Sequence, residues 1–129
     1  MAQAVDSITT RALALALDAA SLRQQAISAN IANAETVGYV PLAVDFEAQL
    51  GNARRSLASQ GHLDAHSLDG VVPRLVETDE IGSSGLSTGV ALDVQVARMA
   101  ENAVRYETLL KGLSRHFGVL SEAIADGKK

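Results

Sequence analysis

Residues 92–124 read LDVQVARMAENAVRYETLLKGLSRHFGVLSEAI, and the spacing of apolar side chains in this run decides the fold class. From Leu92 they recur at Val96, Met99, Ala103, Tyr106, Leu110, Leu113, Phe117, Leu120 and Ile124, alternating steps of four and three residues. A mean period of ~3.5 keeps an apolar stripe facing a partner helix as the two supercoil. Flanking positions carry Gln95, Arg98, Glu101, Arg105, Glu107, Lys111, Arg115 and Glu122, as a solvated face should. Glu101 with Arg105 and Glu107 with Lys111 are acid-before-base pairs four apart, which support a helix. Gly112 and Gly118 weaken it by about 1 kcal/mol each, or allow a close approach or a bend. The pattern predicts a helix from Leu92 to Ala125, ~50 Å long at the usual rise per residue, closed by the polar stop of Asp126, Gly127 and two lysines. His116 falls on the flank of the stripe.

The opposite end of the chain repeats the rule. Ile8, Ala12, Leu15, Ala19, Leu22, Ala26, Ala29 and Asn33 again alternate four and three, and Leu13, Leu17, Ala20, Ile27 and Ile31 form a second row beside them. Ser7 or Asp6 suits an N-cap, and the many alanines favour helix and small interaxial distances. Asn33 occupies a seam position, where a polar residue can fix register at a cost in stability; the preferred reading is that it stands at the helix end and caps carbonyls. Gly38 then supplies positive φ and Val40-Pro41 forces extension.

The middle is less regular. Asp45 can cap a short third helix whose face is Phe46, Leu50, Ala53 and Leu57, interrupted by Gly51. Residues 59–89 are rich in Gly, Ser, Asp and His, and within them only Val71 to Val76 reads as an extended segment, which Pro73 confines to a sheet edge. The expected fold is therefore all-α: long N- and C-terminal helices packed as an antiparallel coiled-coil pair, a short third helix, and an irregular or extended middle. The chain divides into a helix with its closing motif (1–36), a turn, extended step and short helix (37–58), a loop region (59–89) and the C-terminal helix (90–129). Long helices depend mainly on packing of their apolar face, so neither terminal helix should be stable alone.

Composition narrows function by exclusion. The chain has 129 residues, 47% hydrophobic and 3% aromatic, with no Cys and a net charge of -4. Without Cys there is no disulfide framework, thiolate zinc site or thiol nucleophile. A pI near 5.2 with few aromatics argues against nucleic acid, which needs a basic footprint and stacking rings. The run Ala12 to Leu17 is too short for a signal-peptide core, and Asp6 and Asp18 bracket it. No run approaches a membrane span, and the mixed charges of the polar faces and the lack of anchoring aromatics argue against a membrane-surface helix.

Catalytic constellations are missing. His62 and His66 flank Asp64, with Asp69 nearby, but they lie in a segment without helical periodicity and read as a solvated loop rather than metal ligands. Glu77, Asp79 and Glu80 form a small acidic run. Ser83, Ser84 and Ser87 lack a nucleophile elbow, and Gly82, Gly85 and Gly89 lack the spacing and the Lys of a phosphate loop. No nucleophile, base and orienting group can be nominated together, so neither enzyme, metal site nor cofactor is expected.

Ser28-Ala29-Asn30-Ile31-Ala32-Asn33-Ala34-Glu35-Thr36-Val37-Gly38-Tyr39 resembles the N-terminal motif of bacterial flagellar rod, hook and hook-associated proteins, approximately A-N-[LI]-A-N-x-x-T-P-G-Y. Val40-Pro41 and Asp45-Phe46-Glu47-Ala48-Gln49-Leu50 occupy the places of the extended step and the following helix. Ala100-Glu101-Asn102-Ala103-Val104-Arg105-Tyr106-Glu107 is similar to the closing helix of a proximal-rod member. Val37 departs from the pattern, standing where the family usually has a Pro that would pre-set the turn.

The resemblance implies a structural subunit whose terminal helices pack inside a hollow axial structure and are disordered before assembly. It implies export by the flagellar type III apparatus without a cleaved signal, and a periplasmic place in the rod of the basal body. Partners would be other copies of the chain, neighbouring rod proteins, and export-gate and basal-ring components, without nucleic acid or direct membrane insertion. Asn30, Ile31, Ala32, Asn33, Thr36, Gly38 and Tyr39 would form the motif, Asn30 and Asn33 capping or bridging backbone at the helix-to-turn junction and Tyr39 anchoring the extended segment. Ile8, Leu15 and Leu22 with the C-terminal stripe would form the assembly seam. A free-standing coiled-coil adaptor or secreted effector would share only the helices.

Overall fold

The computed structural model describes residues 2–78 and 90–127. Helix α1 spans Ala2–Ala32, strand β1 Leu42–Asp45, helix α2 Gly51–Gln60, strand β2 Arg74–Glu77 and helix α3 Leu92–Gly127, with a turn of 3-10 helix at Glu47–Leu50 ahead of α2. The protein is mostly helical with two long terminal helices, but the middle is more ordered than the all-α reading allows. β1 and β2 pair antiparallel, Leu42 opposite Glu77 and Asp45 opposite Arg74. β2 begins directly after Pro73, which has no N–H to give a ladder.

α1 and α3 lie side by side. His116 Nε2 is 3.1 Å from Thr10 Oγ1, Asn102 reaches the carbonyl of Ala20 at 2.9 Å, and Asn30 reaches Gln95 at 3.3 Å. Rising numbers on α1 meet falling numbers on α3, so the two run in opposite senses. The alanines of α1 keep its surface low: Ala19, Ala20 and Ala26 are buried. α1 extends upstream of Asp6 and Ser7, so neither is its N-cap.

The two rows of α1 serve different neighbours. Ile8 and Ala19 join Phe46, Ala53, Leu68 and Val71 in the core, with Leu15, Val44, Leu50 and Leu63 packed against them. The first row thus covers the middle of the chain. The second row turns toward α3, where a methyl added at Gly112 would stand 4.0 Å from Leu13. Burying each large apolar side chain contributes about 1.5–3 kcal/mol, so this cluster is what folds residues 46–71 onto α1.

The helix after β1 also departs from the sequence reading. Asp45 belongs to β1, and the 3-10 turn starts at Glu47, with Phe46 in the cap position and no side-chain cap. Asp45 instead pairs with Arg74 of β2 at 3.1 Å. The expected apolar face is only partly used: Phe46 and Ala53 are buried, but Leu57 is exposed. α2 closes on Gly61 at φ 73°, whose N–H donates to the Leu57 carbonyl.

An ion cluster fastens the loop before β2 to α1. Arg11 donates to Asp69 Oδ1 at 3.0 Å and to the carbonyl of Leu68 at 3.2 Å, and His66 Nδ1 lies 3.0 Å from Asp69 Oδ2. Hydrogen bonds from His66 first and Arg11 second hold the Asp69 carboxyl below its usual range. A depressed carboxylate contributes stability above its unfolded pKa of about 3.9 and loses it as pH falls through the folded value. Asp69→Asn should therefore flatten the acid limb of stability against pH below about 4, measured by urea unfolding at stepped pH; an unchanged acid limb would contradict the latch.

Candidate functional site

The motif residues meet where α1 gives way to β1. Asn33 follows the last helical residue; its Nδ2 donates to the Ala29 carbonyl at 2.8 Å, a bond that caps the helix end. The same carbonyl accepts the Asn33 N–H at 3.0 Å. Thr36 Oγ1 donates to Asn33 Oδ1 at 3.3 Å. A second turn follows at once: Tyr39 N–H donates to the Thr36 carbonyl at 3.2 Å, with Gly38 at φ 79°. A hydrogen-bonded turn with positive φ at its third residue is the type that favours Gly there and Pro just before it. Val37 holds that preceding place and is 100% exposed.

Asn30 is the centre of the junction, with 1% of its surface exposed. Its Oδ1 accepts the N–H of Leu42 and the hydroxyl of Tyr39, each at 2.8 Å. Its Nδ2 donates to the Leu42 carbonyl at 2.9 Å and to Gln95 Oε1 of α3 at 3.3 Å. The carboxamide thus pairs with both backbone groups of one strand residue, as a neighbouring strand would. Partial burial pushes the Tyr39 phenol above its usual value, so the hydroxyl stays protonated and donates. Ile31 is half-buried beside this centre and Ala32 is exposed.

Gln49 repeats the device in the middle of the chain. It accepts the Val72 N–H at 2.9 Å and donates to the Val72 carbonyl at 2.8 Å. Nothing in the local sequence marks Gln49, and the apolar period puts Gln95 on the solvated face. Gln95 and Asn102 are 3% and 5% exposed; both point at α1. Their signal was available: they stand seven residues apart, and Leu109 and His116 continue the line. His116 accordingly is half-buried against Thr10 rather than on a flank.

That rotation leaves the expected stripe of α3 only half covered. Met99, Leu113 and Leu120 are half-buried, whereas Leu92, Tyr106, Val96, Leu110, Phe117 and Ile124 are exposed. Four of these, Val96, Leu110, Phe117 and Ile124, follow one seven-residue line with exposed Ala103, at 54%, 46%, 50% and 61% exposure. On α1, Ile8 is buried and Leu15 and Leu22 are half-buried.

Residues 11–39 match the family model described as Flagella basal body rod protein. Residues 11–39 are thus similar to the flagellar basal body rod family. The matched residues are most of α1 and the double turn after it, so they contain Asn30 and Tyr39 of the junction, while its partners Leu42 and Gln95 lie beyond them. No curated protein matches the chain.

Other features singled out in the sequence have plainer places. His62 is exposed with Nδ1 3.1 Å from the Gln60 carbonyl, and His66 belongs to the Asp69 cluster. Among the described residues no three His, Asp or Glu side chains could together hold a metal ion, and no helix is long and apolar enough to cross a membrane. Asp79, Glu80, Gly82, Ser83, Ser84, Gly85, Ser87 and Gly89 lie outside the described residues.

Two substitutions probe the junction. Asn30→Ala leaves the two Leu42 backbone groups and the Tyr39 hydroxyl unmatched, and should cost about 3 kcal/mol on the scale of unsatisfied buried polar groups, measured by urea unfolding. A loss under about 1 kcal/mol, the size of one ordinary hydrogen bond, would show that the centre is dispensable. Val37→Pro restricts the unfolded chain at a turn position that suits Pro, and should stabilise by about 0.4–1 kcal/mol; destabilisation in the same assay would show that the turn differs in solution.

Proposed function

We propose that the chain is a structural subunit of the proximal flagellar rod that polymerises through its terminal helices into part of the hollow axial drive shaft. The observation that carries this reading is the uncovered line Val96–Ala103–Leu110–Phe117–Ile124 on α3. Nothing within the described chain covers it, because α1 already spends one row on the middle segment and the other on α3. An exposed apolar line with a seven-residue repeat suits a partner helix in a supercoil, and large exposed apolar patches mark interaction surfaces. A coiled-coil layer built from these lines in neighbouring subunits is the corresponding assembly, with Ile8, Leu15 and Leu22 holding each subunit together beneath it.

Among rod proteins, the closing helix resembles that of FlgB more than that of the sister proximal-rod protein FlgC, which typically carries an insertion before the Gly-Tyr segment and a different ending. On this reading the subunit leaves the cell through the flagellar type III apparatus without a cleaved signal. It joins the periplasmic rod beside other rod proteins and meets export-gate and basal-ring components.

The test is assembly of the full chain. Phe117→Asp puts a carboxylate in the middle of the uncovered line at a position half exposed in the subunit. It should leave the helical circular dichroism intact and abolish self-association in sedimentation. Undiminished self-association of this variant would overturn the reading, as would a wild-type chain that stays monomeric.

A further inference from the structure

α3 carries two seams that share one line. Met99, Tyr106, Leu113 and Leu120 form the shared line at seven-residue steps. Beside it on one edge stand Gln95, Asn102, Leu109 and His116, buried or half-buried. Beside it on the other stand Val96, Ala103, Leu110, Phe117 and Ile124, all exposed. Three members of the first edge are bonded to α1: Gln95 accepts from Asn30 at 3.3 Å, Asn102 donates to the Ala20 carbonyl at 2.9 Å, and His116 lies 3.1 Å from Thr10. The more polar edge is thus turned in and the more apolar one out, against the direction that burial of apolar surface favours. The inward edge is also incompletely matched. Asn102 is 5% exposed and its Oδ1 meets no donor, which is costly for a buried acceptor.

We propose that α3 has a second position, reached by a turn of ~50° about its own axis, half of one residue's step in a helix of 3.6 residues per turn. The Met99–Leu120 line stays against α1. Gln95 and Asn102 swing into water, which supplies the missing donor, and Val96, Ala103, Leu110 and Phe117 come onto α1. On α1, Leu13 and Ala20 stand at this interface, apolar neighbours that suit either edge. Room for the turn lies at the far end of α3, where a groove of about 590 Å³ is lined by Leu120 and Ile124 on one wall and Thr10 and Ala14 on the other. The three polar bonds hold the observed position; burial of the apolar edge and hydration of Asn102 favour the other. In the second position the line used for assembly is covered by the subunit's own α1, so the turn withholds it from other copies. That consequence rests on the proposed polymerising function, whereas the turn itself is a property of a single chain.

Asn102→Lys tests it, because an ammonium is not left buried and unpaired where the carboxamide now sits but is free in water in the second position. Thiol labelling of the dilute full chain reads the position, with one reporter at a time: Ala103→Cys on the outward edge or Leu109→Cys on the inward one. Without the lysine, the reporter at 103 should label fast and the one at 109 slowly. With Asn102→Lys the order should reverse, each rate moving at least ~10-fold, as a tenfold change in the exposed fraction gives, while the helical circular dichroism is kept. Asn102→Leu, which keeps the inward edge apolar and removes the unmatched acceptor, should retain the wild-type order. An unchanged order in Asn102→Lys would overturn the inference, and so would loss of its helix, since a chain with a second position has a fold to move to. Reversal in Asn102→Leu as well would overturn it equally. A chain that never associates but whose labels reverse removes the rod reading and leaves the turn; one that associates without reversal does the opposite.

Discussion

The arrangement depends on one carboxamide standing in for a strand. β1 is four residues long, and a lone two-stranded ribbon of that size is marginal in water. One edge of β1 is filled by β2. On the other, Asn30 of α1 matches both the N–H and the C=O of Leu42. The same side chain receives the Tyr39 hydroxyl and reaches Gln95 of α3. A single buried residue therefore joins the helix end, the turn, the sheet and the C-terminal helix. An aspartate there could accept but not donate, and an apolar residue could do neither.

With the sheet pinned to α1, the first helix becomes a spine with two occupied sides. Its Ile8–Ala19 side holds Phe46, Leu68 and Val71, and its Ala20 side holds α3 through Asn102. Small residues matter on both, since alanine lets neighbours approach closely. Polar contacts at the α1–α3 interface carry a physical consequence. Gln95 and Asn102 turn inward to meet backbone and carboxamide partners, and the bulkier line through Leu110 and Phe117 consequently turns outward. Apolar surface that would stabilise a solitary subunit is left exposed.

Much of this was legible in the sequence. Period and capping chemistry define two long helices, and Gly38 with Asn33 marks the junction, because helix ends and turns are governed by local rules. The middle was less legible: β1 and β2 lie about thirty residues apart, and strand pairing over such a distance leaves no local trace beyond a few alternating residues. Gln49 shows the same limit, since its partner Val72 is brought near only by the fold. The facing of α3 is hidden for a different reason. Periodicity identifies the apolar stripe but not which of its edges an intramolecular partner takes, and two buried carboxamides rotated the helix away from the stripe's centre.

In the proposed rod assembly, the outward line of α3 is covered only when subunits join. The chain has no cysteine, so a single reporter thiol at Ala103→Cys, exposed on that line, can be labelled without background. Labelling rate should be fast in the dilute subunit and fall steeply in the assembled state. Equal labelling of the free and assembled protein would show that the line faces solvent in both and that subunits do not join through it.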